Sequence, residues 1–344
     1  MRTILFLTFA ASLVPLHAQG PAAGPDPRFL QQLLERHRPS GADPFEFAAL
    51  GDQQYGADGE RRWPALVESV NRSGVSFVVH TGDVKSGSTL CSDAMFADRV
   101  QSFNSFLMPM ILTPGDNEWT DCYRDNNGSY NSLERLAYLR RVFYPTNQSF
   151  GQRKLTLSRQ SEDPRYANYV ENSMWAQGNV LFAAVHIVGS NNNLDRNAEN
   201  DREYEERNRA NFNWLKTVFS VARDADFAGV VLLLQANPGF PGSRVRVRQL
   251  ESGFRETFFH LEDEAVVFNR PVLLIHGDSH EFHIDKPLLG TRTGRVIDTI
   301  MRLEVPGSAD VHWVRVRVNP AKPASLFSFE HEDIVAHRPA QQRP

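Results

Sequence analysis

Four Gly-Asp dipeptides, Gly51-Asp52, Gly82-Asp83, Gly115-Asp116 and Gly277-Asp278, each directly follow an apolar run. Any one of them alone makes a turn, since Gly supplies unusual φ values and Asp caps a following helix. Four at the ends of separate strands describe a shared edge, because in an open α/β sheet the carboxyl ends of the strands lie together and ligand sites form there. Carboxylates gathered on one edge repel and raise one another's pKa values unless a cation sits among them. A metal ion is therefore the expected occupant. The side chains suited to hold it are Asp52, Gln54, Asp83, Asp116, Gln235 or Asn237, Asp278 and His280. This set offers mostly oxygen, which favours Mg, Mn or Ca over Zn; Mn or Mg is expected first, with Ca, Fe or Zn as further choices.

The elements that must position these residues are legible as apolar runs closed by polar turns: FEFAALGD, SFVVHTGD, MPMILTPGD, NVLFAAVHIVGSNNN, GVVLLLQANP and PVLLIHGDSH. Short continuous apolar runs bounded by turn signals are the pattern of strands buried on both faces. Helical patterns lie between them, the best being ANFNWLKTVFSVA, with Phe212, Leu215, Phe219 and Ala222 on one face. The alternation predicts a layered α/β domain. Near the end, TIMRLEV, a PGSAD turn and VHWVRVRV predict a hairpin with Val314, Val316 and Val318 facing the core. The polar stretch 119–179 is expected to fold as long loops and short helices over one sheet edge.

In order and spacing these segments resemble the calcineurin-like metallophosphoesterase family, whose usual pattern runs D-x-H, G-D, G-N-H-E/D, a single His and G-H-x-H. Here the motifs read Asp52-Gln53-Gln54, Gly82-Asp83, Gly115-Asp116-Asn117-Glu118 and Gly277-Asp278-Ser279-His280; Asp83 follows Asp52 by 31 residues and Asp116 follows Asp83 by 33. The resemblance spans residues 45 to 283. It implies a four-layer αββα sandwich with mixed sheets and a site for two divalent metal ions acting on a small phosphoester, mono- or diester. In that reading Asp83 bridges both ions, Asp52, Gln54 and His280 complete one, and Asp116, Asp278 and Gln235 or Asn237 the other. Asn117, Glu118 and His280 are the catalytic candidates. The chain departs from the pattern at Gln54, Asp116, Gln235 or Asn237, and Asp278, all of which still offer oxygen. At Asn117 the family has a His that helps the leaving group depart; Asn donates a hydrogen bond but delivers no proton, and loss of a general acid costs roughly 10²–10⁴-fold. A non-catalytic metal- or ligand-binding protein with a degenerate phosphoesterase fold is the alternative, and a carboxylate cage holding one structural Ca²⁺ a third reading.

Other residues have two readings each. His80 and His276 are core histidines or supports of the nearby carboxylates; His283 is a loop His or a substitute acid; Lys85 contacts phosphate or is solvated; the Arg and Asn clusters at 124–127 and 191–197 bind an anion or are surface loops. Arg2, the apolar stretch from Ile4 to Leu16 and the Leu16-His17-Ala18 site predict a signal peptide over 1–18. That points to a secreted or periplasmic protein without a stable membrane anchor after cleavage. Residues 19–42 read as a leader, 43–334 as the phosphoesterase-like domain and 335–344 as a flexible tail. In an oxidising compartment Cys91 and Cys122, each a few residues beyond a site loop, are expected to pair. A net charge of -4 gives no field to gather nucleic acid, and no nucleic-acid-binding signature is present. No G-x-S-x-G elbow supports a serine hydrolase.

Overall fold

Each predicted apolar run forms a strand, because a short β-branched or aromatic segment closed by a Gly-rich turn has little other choice once both its faces are buried. The computed structural model describes residues 24–241 and 244–334. In chain order its strands are β1 (Phe45–Leu50), β2 (Val78–His80), β3 (Met110–Leu112), β4 (Ser158–Arg159), β5 (Ser173–Gln177), β6 (Val180–Ala184), β7 (Gly229–Leu233), β8 (Val245–Arg246), β9 (Val272–His276), β10 (His283–Asp285), β11 (Leu288–Leu289), β12 (Ile300–Glu304), β13 (His312–Val318) and β14 (Phe327–Asp333). One sheet has the order β14-β13-β1-β2-β3 and a second the order β10-β12-β9-β7-β6-β5-β4, with β8 and β11 paired separately. β1, β2 and β3 run parallel, as do β6, β7, β9 and β12, while the outer strands are antiparallel.

The period of two along each strand decides which core a residue enters. Phe47 and Ala49 of β1, Val231 and Leu233 of β7, and Leu273 and Ile275 of β9 meet between the sheets. There Phe47 stacks on Phe77 at 5.1 Å, and Phe182 meets both rings edge-on at 5.4 and 5.2 Å. The alternate residues Ala48 and Leu50 face helices Gly56–Arg72, Asp93–Phe103 and Ser132–Phe143. Leu232 and Leu274 face helices Ala198–Asp224 and Ser252–Phe268. The result is the four-layer αββα arrangement with mixed sheets.

Two expectations are corrected. Within the predicted leader, helix Pro27–Arg36 is part of the folded body: Phe29 and Leu33 are buried against helix Ala198–Asp224, and His37 Nε2 lies 2.9 Å from Ser158 Oγ. β12 and β13 do not form a hairpin. β12 pairs with β9 in the seven-stranded sheet and β13 with β1 in the other, so the intervening chain crosses between sheets. Val314, Val316 and Val318 do face the inter-sheet core; alternation reveals a strand's face but not its partner. The true hairpin is β13 with β14. Residues 1–18 and 335–344, read as signal peptide and tail, lie outside the described residues. No helix among the described residues is long and apolar enough to cross a membrane.

Cys91 and Cys122 form a disulfide across 31 residues, joining the segments that follow β2 and β3. A loop of that length restricts the unfolded chain enough to stabilise the fold by about 3–4 kcal/mol. A Cys91→Ser/Cys122→Ser variant is expected to lose stability of that order in urea unfolding, and reductant is expected to affect only the parent chain.

Candidate metal centre

The parallel strands β1, β2 and β3 end side by side, and the turns that follow carry Asp52, Asp83 and Asp116. The ends of β7 and β9 in the other sheet carry Gln235 and Asp278 to the same place. Asp52, Gln54, Asp83, Asp278 and His280 all have positive φ, between 51° and 82°. Asp and His are enriched in this region, whereas Gln adopts it at a cost of order 1 kcal/mol or more, the kind of strain that collects at functional sites. The glycines serve by being small. A Cβ on Gly115 would collide with Asp83 Oδ1 and one on Gly277 with Asp52 Oδ2, so these two glycines leave room for the carboxylate of a neighbouring turn.

One carboxylate oxygen each from Asp83, Asp116 and Asp278 lies within 4.8 Å of the other two. Asp83 Oδ2 accepts from Asn117 Nδ2 at 2.7 Å and from the Tyr55 hydroxyl at 3.1 Å, and Asp83 Oδ1 accepts from the Asn117 amide at 3.2 Å. Asp116 Oδ1 accepts from Gln235 Nε2 at 3.2 Å, and Ser190 Oγ lies 2.8 Å from both Asp116 Oδ2 and Asp121 Oδ1. Asp278 Oδ2 accepts from the Asn237 amide at 2.8 Å, while the Asp278 amide donates to Asp52 Oδ1 at 3.0 Å. His280 Nε2 stands 3.6 Å from Asp52 Oδ1. Its Nδ1, 2.7 Å from the Ser308 carbonyl, must carry the proton, which leaves the Nε2 lone pair free.

Between Gln235 and Asn237, only the first reaches the carboxylates with its side chain. Asn237 Nδ2 instead donates to Ser279 Oγ, and its Oδ1 caps the amides of Gly239 and Phe240. Gln235 Oε1 accepts from the Gly189 amide, so its nitrogen faces Asp116. Glu118, expected among the catalytic residues, is bonded to two of the turns that carry the aspartates. It is fully buried, and its Oε1 accepts from the amides of Asp83 and Gly115 at 3.0 and 2.7 Å, fixing the turns after β2 and β3. Lys85 is not solvated: it is fully buried, with Nζ 3.0 Å from the Ser86 carbonyl and 3.1 Å from Asn127 Oδ1. His80 and His276 are core residues; His80 Nδ1 accepts from the Gly82 amide at 3.1 Å and His276 Nδ1 meets the Gly277 carbonyl at 2.9 Å. His283 lies on β10, half-buried, with Nδ1 3.2 Å from Glu304.

Tyr55, Asp121 and Ser190 escaped sequence reasoning. Ser190 begins a run through Asn193 with φ between 50° and 68°. The Asn-rich sequence was a usable signal, since Asn is enriched in that region. The run is held by buried Arg207, whose Nη1 donates to the His186 carbonyl and Asn192 Oδ1.

Burial pushes the Asp52 and Asp83 carboxyls well above the usual range, and repulsion from neighbouring carboxylates adds to it. For the same reasons Asp278 is pushed up to about 8 and Glu118 to about 7. Burial lowers Lys85 to about 8 against the pull of Glu118 and Asp83. Asp52 Oδ2 and Gln54 Oε1 are enclosed without a hydrogen-bond partner. Crowded carboxylate oxygens, with Asp52 Oδ2 orphaned, beside an imidazole nitrogen held ready fit a divalent cation.

A raised carboxyl pKa means that the folded chain binds protons the unfolded chain has released. That contribution is whole below the unfolded value and is lost as pH rises through the folded one. Metal-stripped protein is therefore expected to lose thermal stability between about pH 5 and pH 8, and Mn²⁺ or Mg²⁺ to flatten that slope. Asp278→Asn is expected to raise the pH 8 melting temperature of stripped protein while weakening divalent binding at least roughly tenfold, read by calorimetric titration.

A family model for calcineurin-like phosphoesterase matches residues 45–282. No curated protein matches the sequence. Among solved structures, one described as PhoD is similar in fold, with 13% identity, a TM-score of 0.53 and coverage of 83% of this chain and 65% of that one. Purple acid phosphatase PPD1 from yellow lupin (Lupinus luteus) seeds is similar at 12% identity and a TM-score of 0.51, with coverage of 87% of this chain and 53% of that one. The chain thus spans less than two thirds of either structure's length, and at such identities the likeness is one of fold. With more than half of its length matched by the family model and its carboxylates gathered where the two sheets end, the chain belongs to the calcineurin-like phosphoesterase family.

Proposed function

We propose that the protein is an exported, metal-dependent phosphoesterase that hydrolyses a small phosphomonoester or phosphodiester with a good leaving group. The observation that carries this reading is the convergence of Asp83, Asp116 and Asp278 from three strand ends in two sheets, with Asp52 Oδ2 buried and unpartnered beside them. Asp52, Gln54, Asp83, Asp116, Asp278 and His280 would hold two divalent ions, Mn or Mg, with Gln235 orienting Asp116. When bound, such ions neutralise phosphate charge and supply a water of lowered pKa.

The chain's own residues do the rest. Asn117 and Tyr55 both donate to Asp83 Oδ2, and Asn117 Nδ2 also donates to the Tyr55 oxygen at 3.1 Å, so they fix the carboxylate's orientation. Burial and the surrounding carboxylates hold the Tyr55 hydroxyl well above its usual pKa, so it stays protonated as a donor. Neither residue delivers a proton readily. The extracellular or periplasmic setting is supported by the disulfide, which persists in oxidising compartments.

One observation favours a second reading, that of a metal-binding protein without turnover: the Asn117 amide is already engaged by Asp83 and Tyr55. Purified protein stripped and reloaded with Mn²⁺, Mg²⁺, Ca²⁺ or Zn²⁺ is expected to hydrolyse p-nitrophenyl phosphate or its bis-ester, and Asp83→Ala to abolish both turnover and metal uptake. Asn117→His is expected to accelerate poor leaving groups, by up to roughly 10²-fold, more than p-nitrophenolate. Stoichiometric metal with no turnover by any loaded form would establish the second reading instead.

A further inference from the structure

At the end of the β13–β14 pair stand three ligating side chains that the carboxylate centre does not use. His312 lies opposite Asp333, and His331 opposite Val314. Residues two apart on a strand share a face, as do cross-strand partners, so all three project from the side on which Val314 and Val316 enter the inter-sheet core. One ligating atom of each lies within 4.8 Å of the others. The Phe282 ring, 5.2 Å from that of His331, walls one side.

Asp333 Oδ1 is 3.3 Å from His312 Nδ1 and 3.2 Å from His331 Nδ1. Charge-assisted hydrogen bonds of this kind close to about 2.7–2.9 Å. The observed separations instead approach the edge of a tetrahedron, since ligands about 2.0–2.1 Å from a zinc ion stand about 3.3–3.4 Å apart. Independently, His312 Nδ1 is enclosed and has no hydrogen-bond partner.

We propose that His312, His331 and Asp333 form a mononuclear site for a borderline transition-metal dication, Zn²⁺ first, distinct from the oxygen-rich centre. Two imidazoles and one carboxylate select Zn²⁺, Ni²⁺ or Cu²⁺ over Mg²⁺ or Ca²⁺, and three protein ligands leave one position for water. The site would pin the outer hairpin's end beside Phe282, the residue before β10.

The test uses the full chain in excess Mg²⁺. By equilibrium dialysis the parent protein is expected to retain one more Zn²⁺ per chain than His312→Ala/His331→Ala. Cu²⁺-loaded parent is expected to show electron paramagnetic splitting from two imidazole nitrogens, whereas the carboxylate centre has one candidate imidazole, His280. Equal melting curves of the metal-free parent and variant exclude unfolding as the cause. Should the double variant unfold, Asp333→Asn is read in its place, with weakened Zn²⁺ retention expected. Equal Zn²⁺ retention by parent and variant, or fewer than two coordinated nitrogens, overturns the proposal, whatever the outcome of the phosphoesterase assays.

Discussion

The structure turns on a charge imbalance. Asp52, Asp83, Asp116 and Glu118 are enclosed and Asp278 is partly buried, with the buried Lys85 the nearby lysine that offsets their charge. Ionised carboxylates cost too much to bury unpaired, so they neutralise by taking up protons or by gathering a cation. The fold holds this set in place with backbone amides, from Asn117 to Asp83, Asn237 to Asp278 and Asp278 to Asp52. Such donors favour charged carboxylates, so the scaffold is arranged for an occupant more positive than a proton.

That arrangement explains the local peculiarities around it. Left-handed backbone at Gln54 costs energy that an ordinary loop would not retain. The disulfide, the Glu118 contacts to two turns and the Arg207 contacts to the Asn-rich turn all hold strand ends together, and each acts on chain that carries a carboxylate or its partner. Stability of the surroundings is thereby linked to geometry at the centre.

Two kinds of coordination chemistry are separated along the same chain. Where three strand ends converge under helices, oxygen predominates and suits hard ions. Where an outer hairpin ends in partial solvent, imidazole takes over and suits borderline ones. Asn117 donates to Asp83 and so orients the carboxylate of the principal centre.

The sequence by itself determined the strands, since the runs before Asp52, Asp83, Asp116 and Asp278 are short, apolar and closed by Gly-Asp, and local chemistry suffices to fold them so. It also determined the oxygen-rich character of the centre, because residue type fixes which donor atoms exist. Only the tertiary structure decided that Gln235 rather than Asn237 turns its side chain toward Asp116, that Glu118 and Lys85 are enclosed, and that β13 pairs with β1 instead of β12. It alone brought Tyr55, Ser190 and the pair His312 and His331 to their partners. The reason is that periodicity and turn chemistry act over a few residues, whereas strand partners and side-chain directions are set by packing between segments far apart in the chain.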